Sequence, residues 1–268
     1  MKKNKAPVRY TGQHFTVDKL LIADAIRIAD IREDDVVLDI GAGKGFLTVH
    51  LARLSKYVIA IEKDKGLVGF LHRRFAHDRR VHTIGIDFLK YSIQQTSFKV
   101  VSNIPYNITS EILKILMFNH LAHLECASLI MQYEPASKLI RATGSDPYKL
   151  FYRSFFEFAI LYEVPPESFM PPPKVRSALV KITKKRGGNL NPEMKDRYFS
   201  YLCFMLKEPD MKIHSALKKM FRKRQSRAVI EKLNLQSRTS VSGLTADQHV
   251  YCFNQMLLSV PQRYHPMR

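Results

Sequence analysis

Val36-Val37-Leu38-Asp39-Ile40-Gly41-Ala42-Gly43-Lys44-Gly45-Phe46 is the stretch that decides the fold. Aliphatic and β-branched residues run without polar alternation, which reads as a strand buried on both faces. The run ends in glycines at alternate positions, and helical spacing begins at Phe46. Glycines let the backbone turn tightly and approach a ligand, while the free N–H groups at a helix start face whatever is bound. The stretch is therefore a strand, a cofactor loop and a helix. A G-x-G-x-x-G dinucleotide fingerprint requires glycine where this chain has Phe46, and a P-loop requires Ser or Thr where it has Gly45, so nothing marks a pyrophosphate.

The same alternation continues outward. Tyr57 to Glu62, Val81 to Asp87, Lys99 to Ser102 and Ala127 to Met131 are short apolar runs separated by helix-length spacers. Strands alternating with helices imply right-handed βαβ units and a mainly parallel, doubly wound α/β sheet. Two further runs, Phe156 to Val164 and Ser177 to Thr183, flank a proline cluster and predict an edge hairpin with a long loop. Lys184 to Pro192 mixes charge, glycine and proline and reads as a linker. Beyond it the spacing turns helical, as in Tyr198-Leu202-Met205 and Val250-Phe253-Met256. We expect an α/β catalytic domain over residues 1–185 and a small, basic, all-helical domain over 186–268.

The 268 residues are 46% apolar, enough for a sizeable core, and no run approaches the roughly 18 apolar residues that span a bilayer. The basic N-terminus has no apolar segment behind it, so the expected location is the cytoplasm, with no membrane partner. Cys126, Cys203 and Cys252 are far apart and form no metal-ligand spacing, so neither disulfides nor a metal is expected. The 43 Lys and Arg against 24 Asp and Glu give a formal charge of +19. Such an excess points to a polyanion, because each phosphate neutralised releases counterions. About half of it lies in the last third of the chain, concentrated between Leu217 and Arg227, where basic residues interleave with Met220 and Phe221.

Three consecutive strands ending in Gly41, Glu62 and Asp87 bring these residues together at the carboxyl edge of the sheet, where ligands bind. Each acid alone could be a helix cap. Together they describe a nucleoside pocket: the glycine loop for an amino-acid portion, Glu62 for ribose hydroxyls, Asp87 for the amine of an adenine. S-adenosylmethionine has those parts and no phosphate; NAD is the minor alternative.

The next strand ends in Asn103-Ile104-Pro105-Tyr106. Ile104, preceding a proline, is held extended, and the bend presents acceptors. An adenine N6 amine is a poor nucleophile because its lone pair is delocalised. The Asn103 side-chain oxygen and a backbone carbonyl near Ile104 or Pro105 could bind its two hydrogens and aim the lone pair at a methyl group, without a strong base. Tyr106 would stack on the target base, and Phe169, in a proline-stiffened loop, is the second candidate aromatic.

Gly12-Gln13-His14-Phe15, the Asp39 to Gly45 loop, Asn103-Ile104-Pro105-Tyr106 and the Phe169 to Ser177 stretch (F-x-P-x-P-x-V-x-S) resemble the rRNA adenine N6-dimethyltransferase family, in its Erm branch, over nearly the whole chain. The resemblance implies a Rossmann-like class I methyltransferase acting on 23S rRNA, either free or in immature large-subunit particles; a monomer is the default expectation. The activity it implies is dimethylation of one adenine in the peptidyl-transferase region, which confers macrolide, lincosamide and streptogramin B resistance. It also implies S-adenosylmethionine contacts at His14, Thr16, Gly41, Glu62, Asp87 and Asn103, and a target-base site at Asn103, Tyr106 and Phe169. His14 is a departure, since relatives commonly carry asparagine there. A contact through the backbone would make that change matter little.

Two rivals follow. One is the sister branch that dimethylates 16S rRNA during small-subunit maturation; Ala42, Lys44 and Ile104 favour the 23S branch. The other is a non-catalytic nucleic-acid-binding factor of the same fold, against which the intact tetrapeptide argues.

Overall fold

The structure is a computed structural model that describes residues 14–141, 143–236 and 238–266. Gly12 and Gln13 of the N-terminal motif lie outside the described residues. The chain begins with β1 (Phe15–Thr16), α1 (Lys19–Ile28), β2 (Val36–Ile40), α2 (Phe46–Leu54), β3 (Tyr57–Glu62), α3 (Lys65–Arg74), β4 (Val81–Gly85) and β5 (Phe98–Asn103). It continues with α4 (Thr109–Lys114), β6 (Leu124–Gln132), α5 (Tyr133–Ile140), α6 (Pro147–Phe155), β7 (Phe156–Val164), β8 (Phe169–Met170) and β9 (Ser177–Lys184). Helices α7 (Lys195–Met205), α8 (Ile213–Lys218), α9 (Lys223–Lys232) and α10 (Ala246–Ser259) follow.

Seven strands form one sheet in the order β4-β3-β2-β5-β6-β9-β7, and β1 pairs separately with β8. β2 runs parallel to β3 and to β5, and β3 parallel to β4, with Val37 opposite Val58 and Leu38 opposite Val100. Their near-unbroken aliphatic sequence follows from this placement, since inner parallel strands are covered on both faces. The run that ends in Asp87 stops as a strand at Gly85; the Asp87 carboxylate instead accepts the Leu89 N–H and caps a short 3₁₀ turn. β7 takes the sheet edge beside β9, the placement expected of the flanking hairpin.

Two compact units can be distinguished. One comprises the chain through Thr109 with Ala127–Tyr133 and Leu161–Val180; the other comprises Ser110–Cys126, Glu134–Ile160 and the chain from Lys181. In the first, α1 begins at Asp18, whose carboxylate accepts the Leu20 and Leu21 N–H groups and the Ser168 hydroxyl. Leu21, Ala25 and Ile26 of α1 and Leu51 of α2 are buried in a core with Val37, Val58 and Val101. Packing of these apolar stripes, rather than helix propensity, supplies most of the helices' stability.

The second unit has an aromatic core. Phe118 lies 4.8 Å from Phe151 and 5.0 Å from Phe199, measured between ring centroids, and Tyr198 packs edge-on against Phe253. The Tyr198 hydroxyl is paired with Ser154, which removes the cost of burying it. No helix among the described residues is long and apolar enough to cross a membrane.

Candidate active site

A cavity of about 810 Å³ opens in the first unit where β2, β3 and β5 end. His14, Thr16, Gly41, Glu62, Asp87, Asn103 and Tyr106 all line it, so seven of the eight residues singled out in the sequence are brought together.

The glycine loop forms one wall. Gly41 and Gly43 have φ of +74° and +58°, the left-handed region that a side chain disfavours. A Cβ at Gly43 would stand 2.9 Å from the Phe15 ring, and one at Gly41 would stand 3.1 Å from Pro105. The loop is thus pressed between the N-terminal strand and the Asn103 to Tyr106 bend. Gly41 and Ala42 donate their N–H groups to the Ile61 carbonyl, which ties the loop to β3.

Glu62 is buried, and its carboxylate accepts N–H bonds from Gly43 (3.0 Å), Lys63 (2.9 Å) and Asp64 (2.9 Å). These occupy three of roughly four lone-pair sites and leave one for a ligand hydroxyl. Glu62 therefore holds the glycine loop as well as facing the cavity.

Asp39 also lines the cavity, a position to which sequence reading gave no role. Its carboxyl is buried and its pKa is pushed up to about 7, chiefly by burial and further by the negative charge of Glu62; the Thr48 hydroxyl, 2.6 Å away, opposes the rise. Gln132 and Lys174 line the wall too. Gln132 could have been found from its position at the end of β6, on the same sheet edge as Asn103.

The amide of Asn103 is held in one orientation. Its Nδ2 donates to the backbone carbonyl of His14 at 2.7 Å, and a carbonyl can only accept, so Oδ1 is the atom left over. That Oδ1 is buried and has no hydrogen-bond partner among the described residues. Thr16 Oγ1 is buried and unpartnered in the same way. A buried polar atom left unpaired costs about 1–3 kcal/mol, so both are sites where an arriving ligand donor gains more than it would in water. His14 in turn bonds to the Pro171 carbonyl through Nδ1, at 2.7 Å. Its contact with Asn103 runs through the backbone and is open to any residue at that position.

After Asn103, Pro105 turns the chain and its carbonyl accepts the Ile108 N–H at 3.3 Å. The Tyr106 hydroxyl pairs with Ser177 Oγ at 2.7 Å, and burial raises its pKa.

Phe169 is placed differently from the other candidates. It is 2% exposed, belongs to the core of the first unit and does not line the cavity. β8 pairs antiparallel with β1, which puts Phe169 opposite Thr16 and Met170 opposite Phe15. An apolar ring on a strand with a core behind it turns inward, and the cavity wall here is completed by Pro172, Lys174 and Val175.

The residues fit an adenosine-bearing cofactor that carries no phosphate. The loop admits close approach, Glu62 and Asp87 offer carboxylate oxygens to hydroxyl and amine donors, and the orphaned oxygen of Thr16 awaits a donor, while that of Asn103 stays available to a second molecule.

Comparison with known proteins supports this reading. Residues 4–257 match the family described as ribosomal RNA adenine dimethylase. An rRNA adenine N-6-methyltransferase of Bacteroides fragilis is 47% identical over 266 residues, 99% of this chain and 100% of that protein. A probable ribosomal RNA small subunit methyltransferase A of Methanopyrus kandleri is 37% identical over 183 residues, 67% of this chain and 64% of that one. The crystal structure of the 23S rRNA methyltransferase ErmE superposes with a TM-score of 0.77 at 25% identity, covering 90% of this chain and 99% of that one.

Proposed function

The chain belongs to the ribosomal RNA adenine dimethylase family, and from that premise we propose that it places two methyl groups on N6 of one adenine in the peptidyl-transferase region of 23S rRNA, giving macrolide, lincosamide and streptogramin B resistance. It is an rRNA adenine N6-methyltransferase of the Erm type, with the class I methyltransferase fold, and uses S-adenosylmethionine.

The observation that carries the proposal is the buried, unpartnered Oδ1 of Asn103, fixed in direction by the His14 carbonyl. S-adenosylmethionine supplies an electrophilic methyl group, so transfer requires an aligned nucleophile more than a base. Asn103 Oδ1 accepts one N6 hydrogen. A backbone carbonyl of the bend, at Ile104 or at Pro105, takes the other; the Ile108 N–H occupies one of the two Pro105 lone pairs. Withdrawing both hydrogens from the ring plane frees the nitrogen lone pair, and the gain is largest in the transition state, where positive charge develops on nitrogen. After one transfer a hydrogen remains, so the same site serves a second cycle. Tyr106, anchored by Ser177, stacks on the base.

Gly41 lets the loop accommodate the amino-acid end of the cofactor, Glu62 accepts a ribose hydroxyl and Asp87 accepts from the adenine amine. Thr16 and the His14 backbone close the near side. Phe169 acts through β1, as the core residue opposite Thr16, in a positioning role. Residues 1–185 carry the transfer chemistry and 186–268 carry part of the RNA contact. The enzyme works as a cytoplasmic monomer.

The small-subunit reading has the weaker support: a small subunit methyltransferase A of Persephonella marina aligns over a similar length, 262 residues, but is 28% identical, against 47% for the Bacteroides fragilis protein. Radiolabelled S-adenosylmethionine offered with protein-free 23S rRNA or with immature 30S particles separates the two. Label should enter 23S rRNA; label in the small-subunit RNA alone would reverse the choice, and label in neither would leave a binding factor.

A further inference from the structure

The second unit carries a cavity of about 260 Å³ that the transfer chemistry does not use. Four cations line it: Lys138 near the end of α5, Arg141 just beyond, and Lys149 and Arg153 on α6. Lys149 and Arg153 are four residues apart and share one face of that helix. Among the described residues Asp146 is the one carboxylate in the lining, and it is paired with Lys149 at 3.1 Å. It also caps α6 by accepting the Tyr148 and Lys149 N–H groups, so the helix start is not free to bind an anion. The Arg153 guanidinium is fixed by donation from Nη1 to the Leu139 carbonyl at 3.1 Å. Neutralising one cation of four leaves an excess of three positive charges around a concave wall, where low-dielectric surroundings focus the field.

We propose that this cavity is a phosphate-binding site for the rRNA backbone, with Lys138 and Arg141 as its principal cations. The proposal rests on the rRNA-methyltransferase reading and adds a contact outside the basic segment between Leu217 and Arg227. Planar Arg141 can take two phosphate oxygens at once and Lys138 acts as a point charge. A contact of this kind positions RNA without reading bases.

The test uses the full chain, with Lys138→Ala/Arg141→Ala beside the charge-preserving Lys138→Arg/Arg141→Lys, and a labelled 23S rRNA fragment titrated by fluorescence anisotropy at several salt concentrations. The alanine pair should bind roughly tenfold more weakly and lose about 2 from the slope of log affinity against log salt, whatever the RNA sequence. The charge-preserving pair should recover most of both. In methyl transfer the alanine pair should raise KM for RNA and leave both kcat and KM for S-adenosylmethionine unchanged. Wild-type affinity and salt slope in the alanine pair would overturn the site, as would a loss that the charge-preserving pair does not restore. Failure of wild-type enzyme to methylate any rRNA would instead refute the underlying function, which separates the two.

Discussion

Asn103→Asp is the substitution that asks most of the site. In the wild type, the Asn103 Nδ2 donates to the His14 carbonyl at 2.7 Å, and the Oδ1 is the buried acceptor. An aspartate ion presents an oxygen to that carbonyl oxygen, and two acceptors at such a separation repel. The pair is restored only when the aspartic acid is protonated and donates. Burial and the hydrogen bond to its neutral form both raise its pKa. Activity of the variant should therefore increase as the pH falls toward that raised pKa, on a background of reduced kcat. Asn103→Ala removes the acceptor outright; losing one preorganised partner of the developing charge costs about 3 kcal/mol, or roughly a hundredfold in kcat. It also strands the His14 carbonyl, at about 1–3 kcal/mol of stability. Steady-state transfer to a 23S rRNA fragment across pH, with S-adenosylmethionine affinity measured by calorimetry, checks all of this. Cofactor affinity should change by no more than about threefold in Asn103→Ala, which is under 1 kcal/mol. A flat pH profile and near-wild-type kcat in Asn103→Asp would refute the acceptor role.

Gly43→Ala combines a left-handed φ of +58° with a Cβ placed 2.9 Å from the Phe15 ring; S-adenosylmethionine affinity by calorimetry should fall at least about tenfold, given roughly 1–2 kcal/mol of backbone strain plus the clash. His249 is buried with its pKa lowered, chiefly by burial, to about 4 from 6.5. The unfolded chain takes up its proton first, so this residue's contribution is present above pH 6.5 and is lost as pH falls toward 4. Urea unfolding should show wild type losing about 2 kcal/mol relative to His249→Leu between about pH 7.5 and about pH 5. The comparison with His249→Leu is essential because Asp39, its pKa raised to about 7 by burial, has the opposite sign and stabilises as pH falls below that value. Identical pH dependence in the two proteins would show that His249 takes up its proton equally in the folded and unfolded states. Reversing the charges of Arg222, Lys223 and Arg224 at the start of α9 should weaken RNA binding and reduce its salt slope by about 3; an unchanged slope would make that segment a solvated helix face.

The features legible in the sequence are those that a short stretch specifies by itself. Val36 to Ile40 declares a buried strand by its lack of alternation, and the glycines after it declare a loop with left-handed backbone. Glu62 and Asn103 follow because strand ends in a parallel sheet share one edge. Asp87 kept its place in the cavity although its strand ends two residues earlier, since an aspartate there caps a turn at the same edge. What stayed hidden depends on partners distant in the chain. Asn103 and His14 are 89 residues apart, so no local pattern reveals which amide oxygen is left unpaired. Phe169 follows the antiparallel pairing of β8 with β1, and its proline-rich context spoke for an exposed loop while the pairing turns the ring inward. The cations between Lys138 and Arg153 look in sequence like ordinary helix charges; only the fold gathers them around one cavity.

Identification of the product is the most direct test of the transfer site. A 23S rRNA fragment incubated with the full chain and S-adenosylmethionine, then digested and analysed by nucleoside mass spectrometry with site mapping, should yield N6,N6-dimethyladenosine at a single adenine, at an initial rate roughly a hundredfold lower with Asn103→Ala. Methylation on another atom, or an unchanged initial rate from Asn103→Ala, would contradict it.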